Sequence, residues 1–269
     1  MNDVKLKIEE LLKQDAYDLD DLVDIMVILR SECGCPWDRE QTHKSIRNDF
    51  IEETYEVIEA IDTDNRELLR EELGDVLLQV VFHARIEEEE GNFNIDDVAN
   101  DICKKLIHRH PHIFADTSVS GSGEVLVNWE KIKSEEKSRK TYTDKLRAIP
   151  PMLPALMRGV KVGKKAKMFD FPDLQSVIEK LDEEMHELKE AIAKGSTDDC
   201  AEELGDVLLT LTSLSRKLGV DPEQALNSST NKFIDRFERL ENAVTESGRD
   251  MADIDVYELD KIYETLKHN

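Results

Sequence analysis

Four acidic residues with a fixed spacing occur twice in this sequence. In the first copy, two glutamates three residues apart precede a glutamate and an aspartate that are also three apart: Glu53, Glu56, Glu72 and Asp75. The second copy lies 131 residues further along the chain without an insertion: Glu184, Glu187, Glu203 and Asp206. Carboxylate oxygens are the ligands that hard divalent cations prefer, and an all-oxygen set suits Mg²⁺ or Mn²⁺ better than zinc.

Helical geometry predicts that each set of four acids forms one cluster. Residues three apart lie on nearly the same face of a helix, so Glu53 pairs with Glu56, and Glu72 pairs with Asp75. Two such helices packed face to face bring the four carboxylates together. Asp75 and Asp206 each stand within a run of leucines and valines, so we expect burial there. Because an unpaired buried charge costs several kcal/mol, a divalent cation would satisfy the cluster.

A simpler interpretation holds for any single pair of glutamates. In a chain with 60 acidic residues, such a pair is usually part of a solvated helix face. The repeat argues against that interpretation, because both copies end in the identical string EELGDVLL at the same separation. The pattern therefore indicates an internal duplication as well as a metal site.

Composition excludes several classes of protein. A formal charge of -24 argues against a nucleic-acid partner, because binding to the phosphate backbone depends on Lys and Arg. No apolar run approaches the about 18 residues that cross a bilayer, and the start of the sequence lacks the apolar stretch of a signal peptide, so we expect no membrane partner and a cytoplasmic location. The four cysteines form no CxxC pair and are expected to be reduced.

Apolar residues spaced three and four apart predict an all-α fold with almost no strand. We expect two tandem four-helix units, at 1–115 and 151–269, joined by a partly ordered linker at 116–150 with one short helix near 129–139. The predicted helices of the two units are 17–31, 45–62, 66–90 and 96–109, then 152–167, 174–194, 198–218 and 222–246. A short C-terminal helix is predicted at 254–267.

Further motifs flank both copies of the acidic pattern. GCPWDREQTH at 34–43 and HRHPHIF at 108–114 enclose the first copy, whereas LPALMR at 153–158 and NKFIDRF at 231–237 enclose the second. With these motifs the sequence resembles the MazG family of nucleoside triphosphate pyrophosphohydrolases over nearly its whole length. The resemblance implies an ATP-binding class of hydrolase that cleaves nucleoside triphosphates between the α and β phosphates. It also implies Mg²⁺ as cofactor and a homodimer as the usual assembly.

The resemblance assigns the two sets of four acids as metal ligands. It also suggests residues that bind substrate: Lys180, Lys232, Arg236 and Tyr263, with Lys105 and Arg109 in the first unit. By position alone, Glu183 or Glu202 is a candidate for the general base that takes a proton from the attacking water.

One cation distinguishes the two copies. Lys180 aligns with Asp49 of the first unit, so we expect the second unit to be the main hydrolytic centre. The alternative is a non-catalytic sensor that binds Mg²⁺ and nucleotide and acts on a partner protein. The histidines at 108, 110 and 112 are not expected to bind metal, because Pro111 interrupts their helix. No phosphate-binding P-loop motif occurs.

Overall fold

The computed structural model describes residues 2–115, 117–136 and 141–266, and all the regular structure of these residues is helical. The chain divides into two compact units, Met1–Ile132 and Lys133–Asn269. The prediction of tandem all-α units is therefore confirmed. None of the described helices is long and apolar enough to span a membrane.

The first unit is built on two long helices that follow each other in the chain. Its helices are α1 Asn2–Leu11, α2 Leu19–Leu29, α3 Pro36–Glu40, α4 Arg47–Asp62, α5 Arg66–Glu89, α6 Ile95–Arg109 and α7 Pro111–Phe114. Helix α8, Ser122–Glu136, crosses the division between the units. The core of this unit consists of side chains from α2, α5 and the residue before α4: Met26, Ile46, Val81, Phe82 and Ile86. Helices α1, α3 and α7 were not predicted, because segments this short carry little periodic signal.

The second unit repeats the pair of long helices. Its helices are α9 Tyr142–Arg147, α10 Ala155–Lys165, α11 Leu174–Lys194, α12 Thr197–Leu218, α13 Pro222–Glu246 and α14 Val256–Leu266. The bounds of α11 and α13 agree with the predicted ones. Gly195, with φ of 74°, ends α11 in the left-handed region, and Ser196 caps the N-terminus of α12. This tight connection makes α11 and α12 an antiparallel pair.

The segment predicted as a linker contains more helix than expected. Both α8 and α9 lie entirely between residues 116 and 150. Residues 116 and 137–140, including the end of the predicted 129–139 helix, lie outside the described residues, as does the last residue of the predicted 254–267 helix. The boundaries 1–115, 116–150 and 151–269 stay a prediction.

Two histidines fix the segment before α4 to α5. The Nδ1 atoms of His43 and His83 are 2.7 Å apart, and Nε2 of His43 lies 2.7 Å from Oε1 of Glu87. Asn92 donates a hydrogen bond to the other Glu87 oxygen over 2.8 Å. Burial, followed by the charge of His43, lowers the pKa of His83 below its usual value. A hydrogen bond between the two Nδ1 atoms needs one proton between the rings. A second proton would produce two charged rings stacked with centroids 5.0 Å apart, and their charges would repel each other.

We predict that the His83 ring makes the first unit less stable in mild acid. Its folded pKa is lowered, so the unfolded chain binds the extra proton more readily and stability falls as the pH drops through about 6.5. Urea unfolding of the unaltered chain should therefore lose free energy between pH 7.5 and pH 5.5, and the His83→Gln variant should lose less. The control is His186→Gln, which changes an exposed histidine of the second unit. Equal acid losses in the unaltered chain and His83→Gln would contradict the prediction.

Candidate active site

Three carboxylates of the second unit converge where α11 and α12 pack together. Glu184 and Glu187 project from one face of α11, and Glu203 meets them from α12. One carboxylate oxygen from each lies within 4.8 Å of the other two. Glu184 is only 6% exposed, Glu203 is half-buried and Glu187 is exposed. The group is therefore closed at one side and open at the other, as a site that admits a ligand must be.

The first unit holds the equivalent group on α4 and α5. Glu53, Glu56 and Glu72 each place one oxygen within 4.8 Å of the others, and Glu72 is 8% exposed. The duplication seen in the sequence therefore extends to the tertiary arrangement of these three acids.

The fourth acid of each set lies at the edge of its group. The charge of Asp75 raises the pKa of Glu53 and Glu72, and the charge of Asp206 raises the pKa of Glu203, so both aspartates are electrostatically close. The expected burial of Asp206 is wrong, because its side chain is exposed, and Asp75 is only half-buried. The apolar residue Leu208, two positions after Asp206, is itself 45% exposed. The leucines around Asp206, which were expected to bury it, are themselves largely exposed in a single chain.

The electrostatics of both groups favour a cation. Burial is the largest cause that raises the pKa of Glu53, Glu72 and Glu203, and the neighbouring carboxylates raise it further. Negative charges held this close repel one another, and the donor atoms are all hard oxygens. Both groups are thus suited to a divalent cation.

Lys180 lies where the sequence placed it, beside the acids of the second unit. Its Nζ donates to Oε1 of Glu183 over 2.8 Å and lies 3.0 Å from Oε1 of Glu184. These two carboxylates raise the pKa of Lys180 above its usual range. Lys180 is thus already paired with one of the predicted metal ligands.

The other predicted substrate residues of the second unit lie on helices that pack elsewhere. Exposed Lys232 and half-buried Arg236 are on α13, which packs mainly against α14 and α10, whereas the acids are on α11 and α12. Tyr263 on α14 packs against the cluster of Leu240, Val244 and Ile254. Its ring centroid also lies 6.1 Å from that of Phe233. Within one chain, this tyrosine contributes to the apolar core.

The basic residues predicted for the first unit differ in their surroundings. Lys105 is exposed on α6. Arg109 is buried, and its guanidinium lies 5.2 Å from the ring centroid of Trp129 on α8. The structure therefore gives Arg109 a packing contact in its own unit.

A cavity of about 290 Å³ opens beside the acids of the second unit. Among the described residues, five carboxylates and one cation line it: Glu187, Glu190, Asp199, Glu202, Glu203 and Lys194. Glu202, one candidate base, lines this cavity, whereas the other candidate, Glu183, is paired with Lys180. The sequence reasoning missed Lys194, although residues 184, 187, 191 and 194 follow a spacing of three and four on one helix face.

Comparison with known proteins places these helix pairs in one family. The model of the MazG nucleotide pyrophosphohydrolase domain matches the chain twice, at residues 41–114 and 173–240. Both segments contain one pair of carboxylate-bearing helices, so fold and site together define a tandem all-α pyrophosphohydrolase class. The chain belongs to the MazG family.

Two relatives match along almost their whole length, and a third matches over about half of its own. The nucleoside triphosphate pyrophosphohydrolase/pyrophosphatase MazG of Thermotoga maritima is 43% identical over 95% of this chain and 98% of its own. The nucleoside triphosphate pyrophosphohydrolase of Escherichia coli is 41% identical over 93% of this chain and 97% of its own. Bacillus subtilis YabN is 40% identical over 89% of this chain, which covers 49% of that protein.

We predict that the first unit is more stable without metal when one of its clustered charges is removed. In chelator, Glu72→Gln should raise the melting temperature of the chain by a few degrees, because it relieves repulsion from Glu56 and Asp75. Excess Mg²⁺ should reduce this advantage by stabilising the unaltered chain more than the variant. Calorimetry with and without Mg²⁺ measures both effects. Glu59→Gln, which neutralises an exposed acid of α4, is the control; a Glu72→Gln protein that melts below the unaltered chain in chelator would refute the prediction.

Proposed function

We propose that the protein hydrolyses nucleoside triphosphates to the monophosphate and pyrophosphate, with Mg²⁺ bound by the carboxylates of the second unit. The observation that carries this proposal is the convergence of Glu184, Glu187 and Glu203 on α11 and α12, inside a segment that matches the pyrophosphohydrolase domain. The names of the relatives from T. maritima and E. coli support the same activity. Removal of unwanted nucleotides, or control of the nucleotide pool, is the role that this activity would serve.

The donor set fits the proposed metal. Glu184, Glu187, Glu203 and Asp206 would hold Mg²⁺, or Mn²⁺ in its place, and the four acids of the first unit form a second candidate set. When bound there, the ion would neutralise phosphate charge and lower the pKa of a coordinated water. No nitrogen or sulfur ligand is part of either group, so an oxygen-preferring cation is the better match.

The chain itself must accept a proton during this reaction. A bond forms between the water oxygen and the α phosphorus while the bond from that phosphorus to the bridging oxygen breaks, so pyrophosphate leaves with the electron pair. The water's proton passes to a base. Glu202 is the stronger candidate, because it lines the cavity beside Glu203, whereas Lys180 already donates a hydrogen bond to Glu183.

The two units are proposed to be unequal in turnover. Lys180 contributes a positive charge beside the second group, and the first unit has Asp49 at the equivalent position. A triphosphate anion is therefore repelled more strongly at the first group, to which we assign a weaker or regulatory role.

A homodimer is proposed because matching apolar residues of both units are left uncovered. Leu204 and Leu208 of α12 are exposed, and so are Leu73 and Leu77, their equivalents 131 residues earlier on α5. Large apolar side chains spaced four apart on an exposed face mark an interface. Because the duplication preserves this surface on both helix pairs, a second copy of the chain is the occupant we propose.

Product analysis tests the proposed reaction against the alternative of a non-catalytic sensor. Incubation with a panel of nucleoside triphosphates and Mg²⁺ should yield monophosphate and pyrophosphate in equal amounts. Diphosphate with orthophosphate would show cleavage at another bond, and binding without any product would support the sensor. The same panel identifies the preferred base.

Substitutions should separate the contributions of the two units. Glu203→Ala should reduce pyrophosphate release by roughly a hundredfold or more, the scale expected when a metal site is disrupted, and Glu72→Ala should reduce it much less. Glu202→Gln should lower kcat while leaving Mn²⁺ affinity unchanged, as a base rather than a ligand would. Equal losses for Glu203→Ala and Glu72→Ala would overturn the ranking of the units.

Sedimentation tests the proposed dimer. Leu208→Lys should shift the protein toward monomer, because the substitution places a charge in the surface that the proposed dimer would bury. The control is Leu126→Lys, which alters an exposed leucine of α8 outside this surface. A dimer unaffected by Leu208→Lys would show that the α12 face is not the interface.

A further inference from the structure

The cavity beside the second acidic group contains a lysine that neither the acidic pattern nor the family motifs identify. Lys194, the last residue of α11, lines this cavity together with Glu187 and Glu203. Among the described residues that line the cavity, Lys194 is the only one with a positive charge. Two of the proposed metal ligands and one positive charge therefore share a single space.

The geometry of α11 directs Lys194 toward that space. Glu184, Glu187, Ala191 and Lys194 are spaced three and four apart, so they lie along one face of the helix. A helical side chain leans toward the N-terminus of its helix, which for Lys194 is the direction of Glu187. Ala191, which lies between them and is buried, has a side chain too small to fill the gap.

The ammonium group of Lys194 makes weaker contacts than that of Lys180. Lys180 makes a hydrogen bond to Glu183 and an ion pair of 3.0 Å with Glu184. Lys194 Nζ lies 3.8 Å from Oε2 of Glu190, too far for a hydrogen bond, and its side chain is 67% exposed. It can therefore turn toward an anion that enters the cavity without breaking a strong contact.

The first unit lacks this residue. The position equivalent to Lys194 is Thr63. The position equivalent to Asp199, which also lines the cavity, is Leu68. The second unit thus has two lysines near its carboxylates, one before and one after them on α11, where the first has Asp49 and Thr63. The difference between the units is larger than Lys180 alone indicates.

We propose that Lys194 is a substrate-binding residue of the second unit that contacts phosphate oxygens of the part of the triphosphate released as pyrophosphate. The inference rests on the proposed function and adds a specific contact to it. Five carboxylates line the cavity, so a polyphosphate that enters it is repelled unless cations offset them. An ammonium group supplies that compensation as a mobile point charge.

Steady-state kinetics of the full chain with a Mg²⁺-nucleoside triphosphate test this role. Lys194→Gln should raise KM, and the inhibition constant of added Mg²⁺-pyrophosphate, by about tenfold each, the size of one charge-assisted hydrogen bond. Lys194→Arg, which keeps the charge, should recover most of both losses. Lys189→Gln removes an exposed lysine of the same helix that does not line the cavity, and should leave both constants unchanged.

The outcomes separate this inference from the function on which it rests. A lysine that merely stabilises the C-terminal turn of α11 would lower the melting temperature when replaced, with KM and the pyrophosphate inhibition constant unchanged. That result, or equal constants for Lys194→Gln and Lys189→Gln, overturns the role of Lys194 and leaves the proposed function standing. If the unaltered chain releases no pyrophosphate from any triphosphate, the proposed function fails and the assignment of Lys194 fails with it.

Discussion

Repulsion between carboxylates held on paired helices is the constraint on which the rest of this structure depends. In each unit three glutamates place oxygens within 4.8 Å of one another, and burial leaves the repulsion poorly screened. Such a group persists because the helices that carry it are fixed by other contacts. In the second unit, Gly195 and the Ser196 cap form a tight turn that holds α11 and α12 together at the end nearest the cavity. The apolar packing of the helix pair thus maintains an arrangement that the charges alone oppose.

The residues around the two acidic groups differ, although the acids themselves are repeated. In the second unit, Lys180 offsets part of the charge of Glu184 directly, and Lys194 lies at the open side of the same group. The first unit has neither lysine at the equivalent positions. Its segment before α4 is instead fixed to α5 by His43, His83 and Glu87, a set of contacts without a counterpart in the motif shared by the two copies. Duplication preserved the acids, and the surrounding residues diverged.

Much of the architecture follows from local pattern. The all-α fold, the tandem units and the bounds of α11 and α13 follow from apolar spacing, from Gly195 and from Pro222, because these are properties of one segment at a time. The short helices α1, α3 and α7 carry too little periodic signal to be predicted in the same way. The two matches to the MazG domain model support the same tandem arrangement.

The sequence by itself determined which acids share a helix face, because a repeat of 3.6 residues per turn fixes the relation of Glu184 to Glu187 before any folding. Only the tertiary structure decided that Glu72 and Glu184, rather than the aspartates, are the buried members, that Trp129 covers Arg109, and that Lys194 lines the cavity. These are relations between different helices. They depend on which helix covers which face, and the spacing of residues within one helix does not contain that information.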